Sequence, residues 1–207
     1  MIICPTITAL SREDFLRQLH KIEDFAPRIH LDLMDGIFTP DRSVDINKLN
    51  KINIPCDIHL MYADPILIME DLINHQPKTI IIQAESRVDF KKLSLKLKDY
   101  KIKSSLAILQ ETSVSSLKNI IPFFDQVLVF SGNLGYHGGK LDVGLIPKIG
   151  QIKAISPQVQ IAWDGGINLD NIATLKDAGV EVFNVGGYIH NSPNAKKAYE
   201  LLLKEIN

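Results

Sequence analysis

Residues 28–36 read RIHLDLMDG, and this stretch decides the fold. It is a short and mostly apolar run, which is typical of a strand that is buried on both faces in a parallel sheet. His30, Asp32 and Met34 alternate within it, so their side chains point to the same side of the strand. In a barrel of parallel strands, such groups at the C-terminal ends of the strands form the functional site.

Seven further runs rich in Ile, Val and Leu repeat this pattern along the chain. Amphipathic stretches lie between the runs, and the clearest helix candidates are residues 11–24, 89–100, 168–178 and 192–206. Ser11 is suited to cap the first of these helices, and Gly179 is suited to end the third. The eight strand candidates are residues 2–7, 28–33, 56–61, 79–83, 103–109, 126–130, 158–163 and 180–185.

This alternation predicts an α/β fold, a single (β/α)8 TIM barrel domain over residues 1–207. Eight units have a mean length of about 26 residues, which is at the small end for such barrels. A doubly wound open sheet is the competing architecture, and the rhythm alone does not separate the two. An open sheet would more often carry a G-x-G-x-x-G turn after its first strand, and the sequence has none there.

Composition excludes several classes of protein. The 207-residue chain is 45% hydrophobic and 23% charged, which is close to the globular average and excludes a disordered chain. Its 23 Lys and Arg residues nearly balance its 24 Asp and Glu residues, for a net charge of −1. Proteins that bind nucleic acid or anionic membranes generally carry a basic excess, so neither partner is expected.

The sequence also predicts a cellular compartment. Residues 1–5 lack the basic and apolar regions of a signal peptide, and the longest apolar runs are too short to span a bilayer. Cys4 and Cys56 are too few for a disulfide framework, and we interpret both as small buried hydrophobic residues. We therefore expect a cytoplasmic protein.

Polar residues at two more strand ends join those of the first stretch. His59 and Met61 share one side of residues 56–61, and Asp164 follows residues 158–163. Taken singly, each of these is more often a hydrogen-bonded core residue or part of a turn. Together, two imidazoles and two carboxylates in apolar strands are costly unless they are paired or bind a metal. The set His30, Asp32, His59 and Asp164 suits a divalent ion, namely zinc, iron, manganese or cobalt.

Two glycine-rich segments follow late strands. Residues 132–140 (GNLGYHGGK) come after the sixth strand candidate, and Gly186 and Gly187 come after the eighth. Bare glycine backbone can approach an anion closely, and phosphate commonly binds near the last strands of such barrels. The second segment is the better phosphate candidate because of its position; ordinary loop glycine is the alternative.

Among the remaining residues, Trp163 is expected to pack outward under the helices. His20, His75 and His190 are expected to have no interaction partner.

Three of these stretches resemble the ribulose-phosphate 3-epimerase family, and the resemblance extends over nearly the whole chain. They are residues 30–41 (HLDLMDGIFTPD), residues 57–61 (DIHLM) with Pro65, and residues 163–167 (WDGGI). The resemblance implies a metal-dependent isomerase, with Asp32 and Asp164 as the two catalytic acid–base groups. The metal ligands that it implies are His30, Asp32, His59 and Asp164.

By the same resemblance, the enzyme inverts the carbon next to the carbonyl of a phosphorylated ketose, with D-ribulose 5-phosphate to D-xylulose 5-phosphate as the leading reaction. One carboxylate removes a proton from one face and the other returns a proton to the opposite face, while the metal stabilises the enediolate. A homo-oligomer is also implied. The implied substrate-binding residues are Thr6, Met34, His59, Met61, Gly135, Gly138, Gly139, Gly186 and Gly187.

The chain departs from the family pattern on its substrate-facing side. Phe130 stands where the family has a third methionine, and Gln83 stands where it has a histidine. The loop of residues 131–140 lacks the proline of the family's phosphate loop, and it gains a residue together with His137 and Lys140. These departures leave open an epimerase of another ketose phosphate, such as a hexulose 6-phosphate.

Two further alternatives are weaker. A related barrel family that decarboxylates or condenses sugar phosphates uses an Asp-x-Lys-x-x-Asp motif, whereas residues 32–37 here read DLMDGI, without the lysine. A sugar-phosphate-binding barrel without turnover is the alternative from outside enzymes. Retention of both Asp32 and Asp164 disfavours it, because binding alone does not need two opposed acids.

Overall fold

The structure is a computed structural model that describes residues 1–49, 52–132, 134–135 and 139–207. Eight strands alternate with helices and short turns along the chain. The strands are β1 (Ile2–Thr8), β2 (Ile29–Met34), β3 (Cys56–Met61), β4 (Thr79–Gln83), β5 (Lys103–Ile108), β6 (Gln126–Phe130), β7 (Gln160–Asp164) and β8 (Val182–Val185). The α-helices are α1 (Arg12–His20), α2 (Met69–Asn74), α3 (Phe90–Asp99), α4 (Pro147–Ile155), α5 (Ile172–Asp177), α6 (Gly187–His190) and α7 (Ala195–Ile206).

The eight strands form one closed barrel. Each strand pairs in parallel with the next, and β1 pairs in parallel with β8, with Ile2 opposite Val182. A doubly wound open sheet has two free edges, whereas closure removes both edges. The predicted (β/α)8 TIM barrel is therefore confirmed.

The ends of the elements differ from the predicted ends where side chains bond the backbone. β3, β4 and β6 coincide with the predicted runs, while β7 and β8 each begin two residues later. Helix α5 begins at Ile172 instead of residue 168, because the Asn171 Oδ1 accepts from the Asn168 N–H at 2.9 Å and holds a turn there. Ser11 caps α1 as predicted, since its Oγ accepts from the Asp14 N–H at 3.1 Å.

Two connections in the described part of the chain carry 3₁₀ turns in place of an α-helix. Ile46–Lys48 lies between β2 and β3, and Val114–Leu117 and Ile121–Phe123 lie between β5 and β6. These connections are nevertheless as long as several of the helical ones, because β2 ends at Met34 and β3 begins at Cys56.

The core has two parts. A large cluster lies between the outer faces of the strands and the helices, and it contains Trp163, Phe15 and Phe183, each fully buried. The outward packing predicted for Trp163 is thus observed. A second, smaller cluster lies on the opposite faces of the strands and fills the barrel interior with Cys4, Ile81, Ala107, Leu128, Ala162 and Val182.

A buried ion pair lies near the N-terminal ends of the strands. The Arg28 Nε donates to the Asp57 Oδ1 at 3.0 Å, and the Nη2 contacts the same carboxylate oxygen. The Nη2 also donates to the Thr79 Oγ1 at 2.8 Å. Asp57 is only 1% exposed, and its charge is balanced inside the barrel at the end away from the candidate site.

Cys4 and Cys56 are both buried thiols, as the composition predicts. Burial raises the pKa of both, so they stay protonated and chemically inert. Among the described residues, the helices are too short or too polar to cross a lipid bilayer.

Candidate active site

Four ionisable side chains meet at the C-terminal ends of three strands. They are His30 and Asp32 on β2, His59 on β3 and Asp164 at the end of β7. Each is buried, and the most exposed, Asp164, is 8% exposed. One ligand atom from each residue lies within 4.8 Å of the others. The structure therefore brings together the whole predicted metal-ligand set.

Asp32 is the centre of this group. Its Oδ1 lies 3.1 Å from the His30 Nε2 and 3.1 Å from the His59 Nδ1. Its Oδ2 accepts a hydrogen bond of 2.6 Å from the Thr8 Oγ1 on β1. Asp164 approaches from the other side, with its Oδ2 at 3.4 Å from the His30 Nε2. The group thus spans four strands through direct polar contacts.

The two carboxylates have pKa values that are displaced in opposite directions. Burial by itself would raise the pKa of Asp32, but hydrogen bonds from His30 and His59 outweigh it and hold this pKa well below its usual range. Burial raises the pKa of Asp164 to about 7, the nearby Asp32 charge adds to the rise, and His30 opposes it. One carboxylate therefore stays ionised while the other can hold a proton near neutral pH.

The pKa values of the two imidazoles are also displaced in opposite directions. Burial would lower the pKa of His30, but the hydrogen bond and charge of Asp32 outweigh it and raise this pKa. For His59, burial prevails and lowers the pKa. A neutral imidazole is the form that binds a metal, and His59 is therefore prepared for this role by its surroundings.

The donor set fits a divalent metal ion. Two imidazole nitrogens and two carboxylates match zinc, iron, manganese or cobalt in ligand type. The Gln83 side chain provides an independent observation, because its Nε2 lies 2.9 Å from the His59 Nε2 while its Oε1 has no partner among the described residues. Amide oxygen and nitrogen are assigned from hydrogen bonding, and exchanging them lets the Oε1 accept from the His59 Nε2–H. With the Nε2 protonated in this way, the His59 Nδ1 would have its lone pair free to hold an ion, in place of the proton that it otherwise donates to Asp32.

A cavity of about 490 Å³ lies over the four residues, and its size suits a small ligand. Met34 and His59 are fully buried behind its wall, and Gly138 lies outside the described residues. His137 in the same loop also lies outside them, and Lys140 is exposed. The predicted site residues that line the cavity are Thr6, Asp32, Met61, Gly135, Gly139, Asp164, Gly186 and Gly187.

A match to a protein family identifies the class of protein. The sequence model of the ribulose-phosphate 3 epimerase family matches residues 2–190 of the chain. The chain belongs to this family. Epimerases are isomerases, so the prediction of an isomerase is confirmed.

Curated members of the epimerase family match along nearly all of their length. The ribulose-phosphate 3-epimerase of Helicobacter pylori (strain ATCC 700392 / 26695) is 28% identical over 202 residues, which is 93% of each chain. The ribulose-phosphate 3-epimerase of Bacillus subtilis (strain 168) is 24% identical over 198 residues, covering 89% of this chain and 91% of the relative. This chain is thus a divergent member of the epimerase family that retains its overall extent.

Solved structures of other enzymes share the epimerase fold. A crystal structure of 3-hexulose-6-phosphate synthase aligns with a TM-score of 0.76 at 15% identity and covers 100% of both chains. The 3-keto-L-gulonate-6-phosphate decarboxylase from Vibrio cholerae O1 biovar El Tor aligns with a TM-score of 0.75 at 10% identity, covering 99% of this chain and 96% of that one. At these identities the likeness shows the barrel fold alone.

Sequence analysis missed two polar residues around the candidate site. Thr8 bonds Asp32, and Asn184 on β8 lines the cavity. The period of two along β1 and β8 could have identified both, because Thr8 follows Thr6 on the inward face and Asn184 follows Val182. The expectation that His20 and His190 have no partner is wrong, because the His20 Nδ1 lies 2.6 Å from the backbone oxygen of Leu16 and the His190 Nε2 lies 2.8 Å from that of Thr6. Folding brings α6 back onto β1, which sequence spacing cannot reveal.

Two glycines fix the backbone that carries Asp164. Gly165 and Gly166 have φ angles of +103° and +72°. A Cβ on Gly166 would overlap the backbone nitrogen of Leu141, and a Cβ on Gly165 would lie 2.7 Å from the carbonyl carbon of Ser131. The turn after β7 therefore packs directly against the backbone that follows β6.

Replacing Gly166 by alanine is expected to lower the free energy of unfolding by about 2–4 kcal/mol, from positive-φ strain and overpacking together. Gly150→Ala is the matched control, because Gly150 lies in helix α4 with nothing within 4 Å of the added Cβ. The control is expected to stabilise the protein by about 0.5–1 kcal/mol. Urea denaturation of both variants measures the difference, and equal midpoints would contradict the tight turn.

Proposed function

We propose that this epimerase-family protein interconverts D-ribulose 5-phosphate and D-xylulose 5-phosphate by proton transfer between two aspartates. The observation that carries the proposal is the pair Asp32 and Asp164, buried side by side at the cavity with oppositely displaced pKa values. Inverting the carbon next to a carbonyl requires a base on one face and an acid on the other. Paired carboxylates of different pKa satisfy that requirement at neutral pH.

Different residues of the chain would transfer the proton and hold the metal ion. In one direction Asp32, kept ionised by its histidine contacts, accepts the proton from the carbon next to the carbonyl. Asp164 donates its proton to the opposite face of the same carbon, and the roles reverse in the return direction. His30, Asp32, His59 and Asp164 would hold the divalent ion. When bound, that ion supplies Lewis-acid polarisation of the carbonyl and the adjacent hydroxyl.

The phosphate would bind at Gly186 and Gly187. Both glycines line the cavity directly after β8, and α6 begins at Gly187 with Gly186 as its N-cap. Glycine leaves the backbone N–H groups accessible to an anion, and the last strands of this fold are a frequent phosphate site. Thr6, Met61, Gly135 and Gly139 would contact the remainder of the sugar phosphate. The homo-oligomer and the cytoplasmic location stay predictions.

A second substrate is favoured by one observation on the cavity wall. Phe130 lines the cavity, and its ring centroid lies 6.0 Å from that of His59. An aromatic ring is rigid where a methionine would be flexible, so it reshapes the space near the reacting carbon. An epimerase of another ketose phosphate, such as a hexulose 6-phosphate, is therefore the second candidate.

The deciding experiment measures kcat/KM across pentulose and hexulose phosphates after metal loading, together with deuterium incorporation from D₂O into the ketose. The proposal expects D-ribulose 5-phosphate to be preferred and deuterium to appear on the carbon next to the carbonyl. Preference for a hexulose phosphate would support the second candidate. A protein that binds ketose phosphates but incorporates no deuterium would be the binding barrel without turnover.

Gly187→Val is expected to raise KM for D-ribulose 5-phosphate by at least about tenfold, because a branched side chain blocks the close approach of an anion to the backbone. Steady-state kinetics measure the effect, with thermal unfolding as a check on the fold. Unphosphorylated D-ribulose is the control substrate. If wild-type KM values for the phosphorylated and unphosphorylated sugars are equal, these glycines do not bind phosphate.

A further inference from the structure

Asn184 is a buried amide on the cavity wall. The residue lies on β8 and is 2% exposed. Neither its Oδ1 nor its Nδ2 has a hydrogen-bond partner among the described residues. Within the cavity lining, the Thr6 Oγ1 is also buried without a partner in that part of the chain. These polar atoms therefore face the cavity with their hydrogen-bonding capacity unused by the protein.

An unpartnered buried amide is costly to keep. Folded proteins satisfy nearly all buried polar atoms, because removing one from water without a new hydrogen bond costs free energy. The preceding inward-facing residue of β8, Val182, is apolar and packs in the interior cluster. An apolar side chain at position 184 would continue that cluster without this cost. The amide is thus explained by something that enters the cavity and bonds to it.

The position of Asn184 indicates which part of a ligand it meets. Its Cα pairs with that of Asp164 on the neighbouring strand. Along β8 it precedes Gly186 by two residues, which is about 6.6 Å of strand. Asn184 therefore lies between the proton-transferring carboxylate and the glycines assigned to the phosphate. In a ketopentose 5-phosphate, the group between the reacting carbon 3 and the phosphate-bearing carbon 5 is the hydroxyl on carbon 4.

We propose that Asn184 is a specificity-determining residue that binds the carbon-4 hydroxyl of the ketose phosphate. An amide carries both a donor and an acceptor, and a hydroxyl group offers both in return. The assignment rests on the proposed function, because it takes the reacting carbon and the phosphate position from it. A site built to hydrogen-bond a hydroxyl discriminates strongly against an analogue that lacks it.

The test compares Asn184→Leu with wild type on two substrates, D-ribulose 5-phosphate and its 4-deoxy analogue, using the metal-loaded full chain. The variant is expected to lose roughly 10- to 100-fold in kcat/KM for D-ribulose 5-phosphate, the range for one hydrogen bond lost in a buried site. For the 4-deoxy analogue the loss should stay below about threefold, because the missing hydroxyl makes no bond with either side chain. Metal affinity, measured by competition with a chelator, is expected to be unchanged.

Two controls separate binding from folding. The melting temperature of the ligand-free Asn184→Leu variant should equal or exceed that of wild type, since an unpartnered amide is removed. Asn53→Leu, an exposed position, applies the same chemical change outside the cavity and should alter neither substrate's kinetics. If Asn184→Leu does not fold, Asn184→Ala makes the same comparison without adding bulk.

The outcomes distinguish a failure of the Asn184 assignment from a failure of the proposed function. Equal losses on the two substrates, or no loss on either, would overturn the role of Asn184 while leaving the epimerase activity of wild type intact. A wild-type protein that neither binds nor turns over any ketose phosphate would overturn the proposed function, and this assignment with it.

Discussion

Replacing Asp164 by asparagine is expected to reduce turnover of D-ribulose 5-phosphate by about 10²- to 10⁴-fold, the usual effect of losing one acid–base group. Asparagine keeps the shape of the side chain but can neither hold nor release the proton. Asp164 is suited to that transfer because burial raises the pKa of its carboxyl group, which favours its holding a proton. Single-turnover kinetics with metal-loaded protein measure the chemical step directly.

The control for Asp164→Asn addresses its second role as a metal ligand. Metal content is measured on the same samples as the rate, and rates are compared at equal occupancy. Asp177→Asn, an exposed position at the end of α5, is the matched substitution and is expected to leave turnover unchanged. Turnover close to wild type in Asp164→Asn at full occupancy would rule out the two-aspartate mechanism.

His59→Ala is expected to weaken metal binding by more than about 100-fold. It deletes a donor itself, whereas losing a partner that only orients a ligand typically costs 10- to 100-fold. The Asp32 Oδ1 also loses one of its two imidazole contacts, which lie at 3.1 Å each. Competition with a chelator of known affinity gives the dissociation constant, and activity is expected to fall with occupancy.

His20→Ala is the matched control, because His20 is exposed on α1 and does not belong to the ligand group. It should retain wild-type metal affinity. Full activity of the wild-type protein after exhaustive chelation, with no metal detected in it, would remove the metal site from the proposal altogether.

The sequence predicted eight alternating strands and helices because buried parallel strands differ clearly from amphipathic helices, whereas this rhythm did not distinguish a closed barrel from an open sheet. The run at residues 126–130 is apolar along most of its length and became β6 with the same ends. Ends were less predictable where a local hydrogen bond competes, as at Asn168 and Asn171, whose turn delays α5. Propensity describes the interior of an element well, whereas single side-chain contacts decide its ends.

The candidate site was predictable to the extent that it follows strand alternation. His30, Asp32 and His59 stand at inward positions of adjacent strands, so their proximity follows from register. Register also places Gln83 on the inward face of β4, two residues beyond the partner of His59, but its contact with the His59 Nε2 depends on a side-chain rotamer that register does not determine. The sequence also could not predict that the Asn184 side chain lacks a hydrogen-bond partner, because this depends on the side chains of all the neighbouring strands.

The turn of Gly165 and Gly166, directly after Asp164, packs against both ends of the loop that follows β6. The Ser131 N–H donates to the backbone oxygen of Asp164 at 2.7 Å, and the Ser131 Oγ accepts from the Asp142 N–H at the other end of the same loop. Under the proposed function, substrate recognition and proton transfer would therefore depend on one connected stretch of backbone. Exchanging the loop for that of a relative would carry over the substrate preference only if both ends of the graft preserve these anchors. A loop that evolves toward a new sugar phosphate must accordingly keep the contacts at its two ends. Directed evolution of the loop should therefore leave Ser131, Leu141 and Asp142 unvaried.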